Sequence, residues 1–206
     1  EDLDRLLPDY AWDLLPELGR YRAHNMHCFQ DFSRSRKDDF SDVRSPYAVL
    51  YTSLGCPFAC DYCCINALAG RRGVRYWSLP RVLSWIDRLV QRHGVRNIRL
   101  DDELFILDPE RVERFCDGVI ERGYDLNLWV YGRADTVPDR LLDLLRRAGV
   151  TWICLGIETA SDRVRRDVHK TISGDIRRAV RAIQDRGISV LGNFLFGLPE
   201  DDRATL

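Results

Sequence analysis

Cys56, Cys60 and Cys63 stand in the run Gly55-Cys-Pro-Phe-Ala-Cys-Asp-Tyr-Cys63, separated by three and then two residues. That spacing lets one loop wrap three thiolates around a single inorganic centre, with Gly55 and Pro57 supplying the turn chemistry. A closed structural zinc site takes four protein ligands, and a self-contained ferredoxin cluster likewise takes four cysteines. Three ligands leave one coordination position open, which suits a cluster that binds a small molecule at its bare iron. Cys64 directly follows the third ligand, and its side chain is expected to point away. Counted as a fourth ligand it would make an iron–sulfur electron carrier or redox sensor, and a structural zinc module is a third reading of the same thiols.

Other groups with chemistry follow apolar runs further along. Asp101-Asp102-Glu103 places three carboxylates in a row, which is costly unless they are solvated or paired with cations. Tyr131-Gly132-Arg133-Ala-Asp135 offers a guanidinium whose planar fork fits a carboxylate. Glu158, in Leu155-Gly-Ile-Glu158-Thr-Ala-Ser161, closes an apolar run and needs a donor partner. Gly192-Asn193-Phe-Leu195-Phe-Gly197-Leu-Pro-Glu200 is the last such segment. His24 and His27 lie close together, but without Cys or carboxylate partners at ligand spacing they read as part of a loop.

The elements that must position these groups alternate. Strands are expected at Ala48 to Ser53, Val95 to Leu100, Leu126 to Tyr131, Val150 to Ile157 and Ile188 to Phe196. Helices are expected at Pro80 to His93, Pro109 to Arg122, Pro138 to Ala148 and Gly174 to Arg186, most of them stopped by glycine. Such alternation predicts an α/β fold with a parallel sheet of right-handed βα units. Ligands then gather at the carboxyl ends of the strands, where the groups above stand. Before residue 47 the chain carries proline, glycine and a charged run, Arg34 to Asp39, with Leu3, Leu6, Leu7, Trp12, Leu14, Leu15 and Leu18 suggesting short helical turns that pack as a strap.

The balance of 31 basic against 32 acidic residues gives a net charge of −1. It leaves no footprint for nucleic acid or an anionic membrane. No apolar run reads as a membrane span or signal peptide. Seven cysteines, an odd number, argue against a disulfide framework and for a reducing, cytoplasmic setting. Cys28, Cys64, Cys116 and Cys154, outside the triplet, read as small buried hydrophobes. The chain closes soon after a strand signal and so reads as a piece of a longer protein.

The segment Gly-Cys-Pro-x-x-Cys-x-Tyr-Cys resembles the radical S-adenosylmethionine superfamily, and its wording is similar to the cobalamin-associated branch. The resemblance implies a 4Fe–4S cluster on Cys56, Cys60 and Cys63, whose open iron chelates the amino and carboxylate groups of S-adenosylmethionine. Reduction then cleaves the sulfonium to a 5'-deoxyadenosyl radical. It narrows the fold to a partial (β/α)6 TIM-like barrel that lacks its sixth strand here. One of Asp101, Asp102 and Glu103 would hold the amino group, and Arg133 the carboxylate. Glu158 and Ser161 would take the ribose, Leu195 and Gly197 the adenine, and Tyr62 would pack near that adenine. Glycines that the family carries beside its acidic residue are absent, and Asn193 replaces the first glycine of the adenine motif. Residues 1–46 would then link to an upstream cobalamin-binding domain, and residues 47–206 would form the radical domain. The resemblance further implies cobalamin held mainly by that upstream domain, methyl transfer or radical rearrangement on a small-molecule substrate, and a reductant protein such as flavodoxin or ferredoxin.

Overall fold

The computed structural model describes residues 2–21 and 46–205. His24, His27, Cys28 and the charged run at 34–39 lie outside them. Five parallel strands form the main sheet in the order β1 (Tyr47–Leu50), β4 (Asn97–Leu100), β5 (Asn127–Gly132), β6 (Val150–Glu158) and β7 (Ser189–Phe194). Helices α3 (Leu79–His93), α4 (Pro109–Glu121), α5 (Asp139–Arg147) and α7 (Ile176–Asp185) connect them. Each is started by side-chain or proline chemistry. Ser78 caps α3 by accepting from Arg81 N–H at 3.4 Å, and Asp108 caps α4 by accepting from Arg111 N–H at 3.2 Å, each with proline in the first turn. The apolar stripe of α3, Val82, Leu83, Trp85, Ile86, Leu89 and Val90, is buried against one sheet face, where Leu50, Ile98, Leu100, Leu128, Val130 and Ile153 complete the core. This is half of a barrel wall, with helices outside.

The opposite face, which a barrel turns inward, carries a separate cluster of Trp129, Trp152 and Cys154 with Tyr131 and Leu191 beside it. Cys116 and Cys154 are buried, as small hydrophobes should be. Register places Leu50 beside Leu100, Gly132 beside Leu155 and Glu158 beside Phe194, so the carboxyl ends of all five strands share one rim.

The first strand is shorter than its composition suggests. β1 stops at Leu50 because the Tyr51 N–H goes to the Tyr10 hydroxyl at 2.7 Å and the Thr52 N–H to Asp102 Oδ1 at 2.6 Å, leaving neither for a sheet ladder. Ser53–Leu54 (β2) instead pairs antiparallel with Arg75–Tyr76 (β3), closing a lobe around the cysteine loop. Between them lies the one-turn α2 (Ile65–Leu68), and after β6 comes α6 (Asp162–Asp167).

The amino-terminal strap packs through Trp12 and two of its leucines, Leu3 and Leu18, while Leu6, Leu7, Leu14 and Leu15 are exposed against expectation. It comprises α1 (Leu3–Leu6) and two 3-10 turns, Trp12–Leu14 and Leu18–Arg20. Tyr10 stacks on Trp12 with ring centroids 4.7 Å apart, and Asp9 accepts from Trp85 Nε1 and Arg81 Nε, both at 2.8 Å, pinning the strap to α3. Among the described residues no helix is long and apolar enough to cross a membrane.

Candidate active site

The loop after β1 begins with a close approach. Gly55 has φ +93°, and a Cβ there would stand 2.4 Å from the Gly73 carbonyl oxygen, so only glycine lets the lobe close. Its N–H is given to Glu103 Oε2 at 2.9 Å, and the Cys56 carbonyl accepts from Gly73 N–H at 3.1 Å. Cys56, Cys60 and Cys63 then line one wall of a cavity of about 490 Å³. Burial pushes the Cys56 thiol pKa up, and the nearby Cys60 and Cys63 push it further, while the Phe58 N–H and Arg133 pull it down. Three thiolates lining one cavity would need a cationic centre, and a multi-iron cluster supplies one. Among the described residues no three His, Cys, Asp or Glu side chains gather tightly enough to hold a single metal ion. It is the chemistry of the donor set, three cysteines of one loop on one cavity, that fits a cluster.

Cys64 also lines this cavity and is exposed, against expectation. The backbone is already helical at Cys64, with φ −82° and ψ −6°.

The facing walls come from the strand ends. The three carboxylates after β4 have three different partners. Asp101 pairs with Arg99 Nε at 2.6 Å and accepts from the Tyr51 hydroxyl at 3.2 Å. Asp102 is buried and accepts from Thr52 N, Thr52 Oγ1 and Ser53 Oγ at 2.6 to 2.7 Å. Burial pushes its pKa up even though those hydrogen bonds work the other way. Glu103 holds Gly55, as described, so Asp102 and Glu103 both brace the cysteine loop.

Arg133 is buried, forks onto Asp135 at 3.0 and 3.1 Å, donates to the Thr171 carbonyl, and lies 3.8 Å from the Phe58 ring centroid. Burial favours a protonated Asp135, but the Arg133 guanidinium and the Ser173 N–H overcome it and hold that carboxyl below its usual range. Glu158 closes β6 with φ +66°, a conformation that costs a non-glycine residue, and its Oε1 meets Lys170 Nζ at 2.7 Å. Tyr62 reaches across from the cysteine loop to Glu158 and Cys60; burial, then the charge of Glu158, then that of Cys60 drive its pKa upward.

Tyr62, Asp101, Asp102, Glu103, Arg133 and Glu158 thus share one cavity with the cysteines. Ser161, Leu195 and Gly197 are not among its lining residues. Ser161 caps α6, accepting from Val164 N–H at 3.4 Å. Leu195 donates its N–H to the Glu158 carbonyl at 2.9 Å, and Gly197 turns with φ +84° toward Asp201. Lys170 was not expected here. Its signal was faint: only Lys37 and Lys170 are lysines among 31 basic residues, and twelve residues separate Lys170 from Glu158. Arg99, Tyr51, Tyr131 and Asn193 also line the cavity. A larger recess of about 730 Å³ lies beside Val180, Gln184 and Phe194, but none of the strand-end cofactor groups opens into it.

A parallel partial barrel with a three-cysteine loop after its first strand, and acid, guanidinium and glutamate groups after the next three, is a fold and donor set that fit an iron–sulfur centre. The family model described as the radical SAM superfamily matches residues 50–206, and the chain belongs to that superfamily. An uncharacterized methyltransferase, PH0819, of Pyrococcus horikoshii is 26% identical over 198 residues, covering 96% of this chain and 39% of the relative. The anaerobic magnesium-protoporphyrin IX monomethyl ester cyclase of Rubrivivax gelatinosus is 27% identical over 209 residues, covering 100% of this chain and 34% of the relative. The chain therefore spans little more than a third of the length of these relatives. The radical S-adenosylmethionine methyltransferase TsrM from Kitasatospora setae superposes with a TM-score of 0.68 at 20% identity, over 85% of this chain and 36% of that one. The cobalamin-dependent S-adenosylmethionine radical enzyme OxsB superposes with a TM-score of 0.62 at 22% identity, over 71% of this chain and 23% of that one. These likenesses bear out the partial-barrel fold.

Proposed function

We propose that this chain is the radical domain of a cobalamin-dependent enzyme that transfers a methyl group to a small molecule or rearranges it. The observation that carries the reading is the single cavity shared by Cys56, Cys60, Cys63, Asp101, Arg133 and Glu158. Cys56, Cys60 and Cys63 would hold the 4Fe–4S cluster. When bound, cluster and S-adenosylmethionine supply a carbon-centred oxidant that the protein itself has no means of making.

The residues of the chain would bind and orient. Asp101, whose Oδ1 pairs with Arg99 and whose Oδ2 accepts from Tyr51, is the carboxylate of its trio that does not brace the cysteine loop, so it suits the amino group of S-adenosylmethionine. Arg133 sits beside Phe58 of the cysteine loop, where its guanidinium can meet a carboxylate held near the cluster. Glu158, held in place by Lys170, would accept from ribose hydroxyls. Ser161, Leu195 and Gly197 lie at the same rim and would approach the nucleoside. Tyr51, Arg99, Tyr131 and Asn193 line the part of the cavity that these assignments leave over, and there the substrate would face its oxidant. Cobalamin is supported by the likeness in fold to OxsB, a cobalamin-dependent S-adenosylmethionine radical enzyme. Residues 1–46 would lead to the domain that binds it. A flavodoxin or ferredoxin would deliver the electron, and the setting would be cytoplasmic.

The test is anaerobic reconstitution with iron and sulfide, then reduction in the presence of S-adenosylmethionine. Release of 5'-deoxyadenosine or transfer of a methyl group is expected. A stable, reducible cluster that neither binds nor cleaves S-adenosylmethionine would make the protein an electron carrier. Corrinoid should copurify with the full-length protein; its absence in an enzyme that turns over would remove cobalamin alone.

A further inference from the structure

The turn after α6 touches the cysteine loop and the groups that follow β5 and β6. Val168 O accepts from Asp61 N–H at 3.1 Å, and Lys170 N–H is given to Arg165 O at 2.9 Å. Lys170 Nζ meets Glu158, Thr171 O accepts from Arg133, and Ser173 N–H is given to Asp135 at 3.1 Å. Between these, His169 Nδ1 lies 2.8 Å from Asp61 Oδ2. Asp61 follows the ligand Cys60 directly. The tip of the cysteine loop is tied to the barrel at two adjacent residues, Asp61 to this turn and Tyr62 to Glu158.

His169 is an unexpected residue for its place. Its backbone has φ +53°, in the left-handed region that favours glycine, and its side chain is 71% exposed, so packing does not explain it. The bond to Asp61 does. A neutral imidazole with its proton on Nδ1 suffices for that bond, so the contact does not depend on a charge.

We propose that His169 is a positioning residue: through Asp61 it sets the angle at which the tip of the cysteine loop presents Cys60 and Cys63 to the cluster. This deepens the reading above and rests on it. His169 touches neither ligand nor substrate and acts only through the loop.

The experiment compares reconstituted wild type with His169→Ala, His169→Gly, His169→Asn, Asp61→Ala and the double variant Asp61→Ala/His169→Ala. The readouts are the first-order loss of cluster iron to a colorimetric chelator and the low-temperature electron paramagnetic resonance of the reduced cluster. Both groups are solvent-exposed, so the expected effect is modest, about a two- to fivefold faster loss in His169→Ala. His169→Gly, which relieves the backbone, should behave like His169→Ala. Asn tolerates the same φ and keeps an N–H donor, so it should restore the rate and the spectrum. The double variant should be no worse than either single one. Wild-type behaviour in His169→Ala and His169→Gly, or effects that multiply in the double variant, would overturn the proposal while leaving the cluster assignment intact. A wild type that takes up no 4Fe–4S cluster overturns both.

Discussion

Glu158 and Lys170 form a nearly dry ion pair, 2.7 Å apart with side chains 9% and 7% exposed, and the space for it exists because residue 156 has no side chain. A Cβ at Gly156 would stand 2.6 Å from both Glu158 Oε1 and Lys170 Nζ. Gly156→Ala should therefore part the pair and weaken S-adenosylmethionine binding by about tenfold, ~1.4 kcal/mol, as read by calorimetry. Lys170→Met strands a buried carboxylate and should cost about 3 to 5 kcal/mol of folding stability in urea titration. A loss below ~1 kcal/mol would mean that water reaches Glu158.

Alanine at Cys56, Cys60 or Cys63 should abolish stoichiometric iron and sulfide after reconstitution. Cys64→Ala should retain both, although Cys64 lines the same cavity. Equal loss of iron in Cys64→Ala would convert the open-site cluster into a closed one.

Asp102 gives a pH dependence whose sign can be worked out. Burial raises its folded pKa above the unfolded value. The folded state then holds the proton more tightly, so its contribution to stability is full below the unfolded value of 3.8 and is lost as pH rises through the folded pKa. Asp102→Asn should flatten the fall in urea midpoint above about pH 4 while keeping contacts to Thr52 and Ser53, whose hydroxyls can rotate. An unchanged slope would show that another group titrates there.

Arg133→Lys keeps a charge but cannot reproduce the fork onto Asp135 or the flat contact with Phe58. It should weaken S-adenosylmethionine by about 1.5 to 3 kcal/mol and leave cluster iron unchanged. Unaltered affinity would leave Arg133 as a brace for the 171–173 turn.

Ser161→Ala removes a helix cap and should cost about 1 kcal/mol of stability. Ser161→Asp, which also caps, should restore stability; if S-adenosylmethionine affinity returns with it, the serine acts through α6, and if not, its hydroxyl serves the nucleoside directly.

Much of this arrangement was legible in the residues. Pro80 and Pro109, each in a first turn, mark helix starts by local chemistry, which is why those boundaries were readable to within a residue or two. The cysteine spacing and the charged groups after each strand were equally local. What escaped depends on partners far along the chain. The end of β1 at Leu50 is decided by Tyr10 and Asp102, and the pairing of β2 with β3 involves two residues on each side, too few for any periodicity. Lys170 and His169 matter through Glu158 and Asp61, the latter 108 residues away. Ser161 reads equally well as a ligand or as a cap.

The sheet order β1-β4-β5-β6-β7 repeats the order of those strands along the chain. Each strand therefore meets a neighbour that has already been synthesised, and none must be inserted between two existing ones. As the polypeptide leaves the ribosome, the sheet can grow at one edge, one βα unit at a time, although β1 and β4 pair across the whole cysteine lobe, Tyr47 with Asn97. The two braces of the cysteine loop come at different stages: Asp102 reaches back to Thr52 as soon as β4 is complete, and the turn at 168–173 reaches back to Asp61 only after β6. The base of the loop is thus fastened early and its tip late, which leaves the tip open to whatever machinery delivers iron and sulfide until four of the five strands are made.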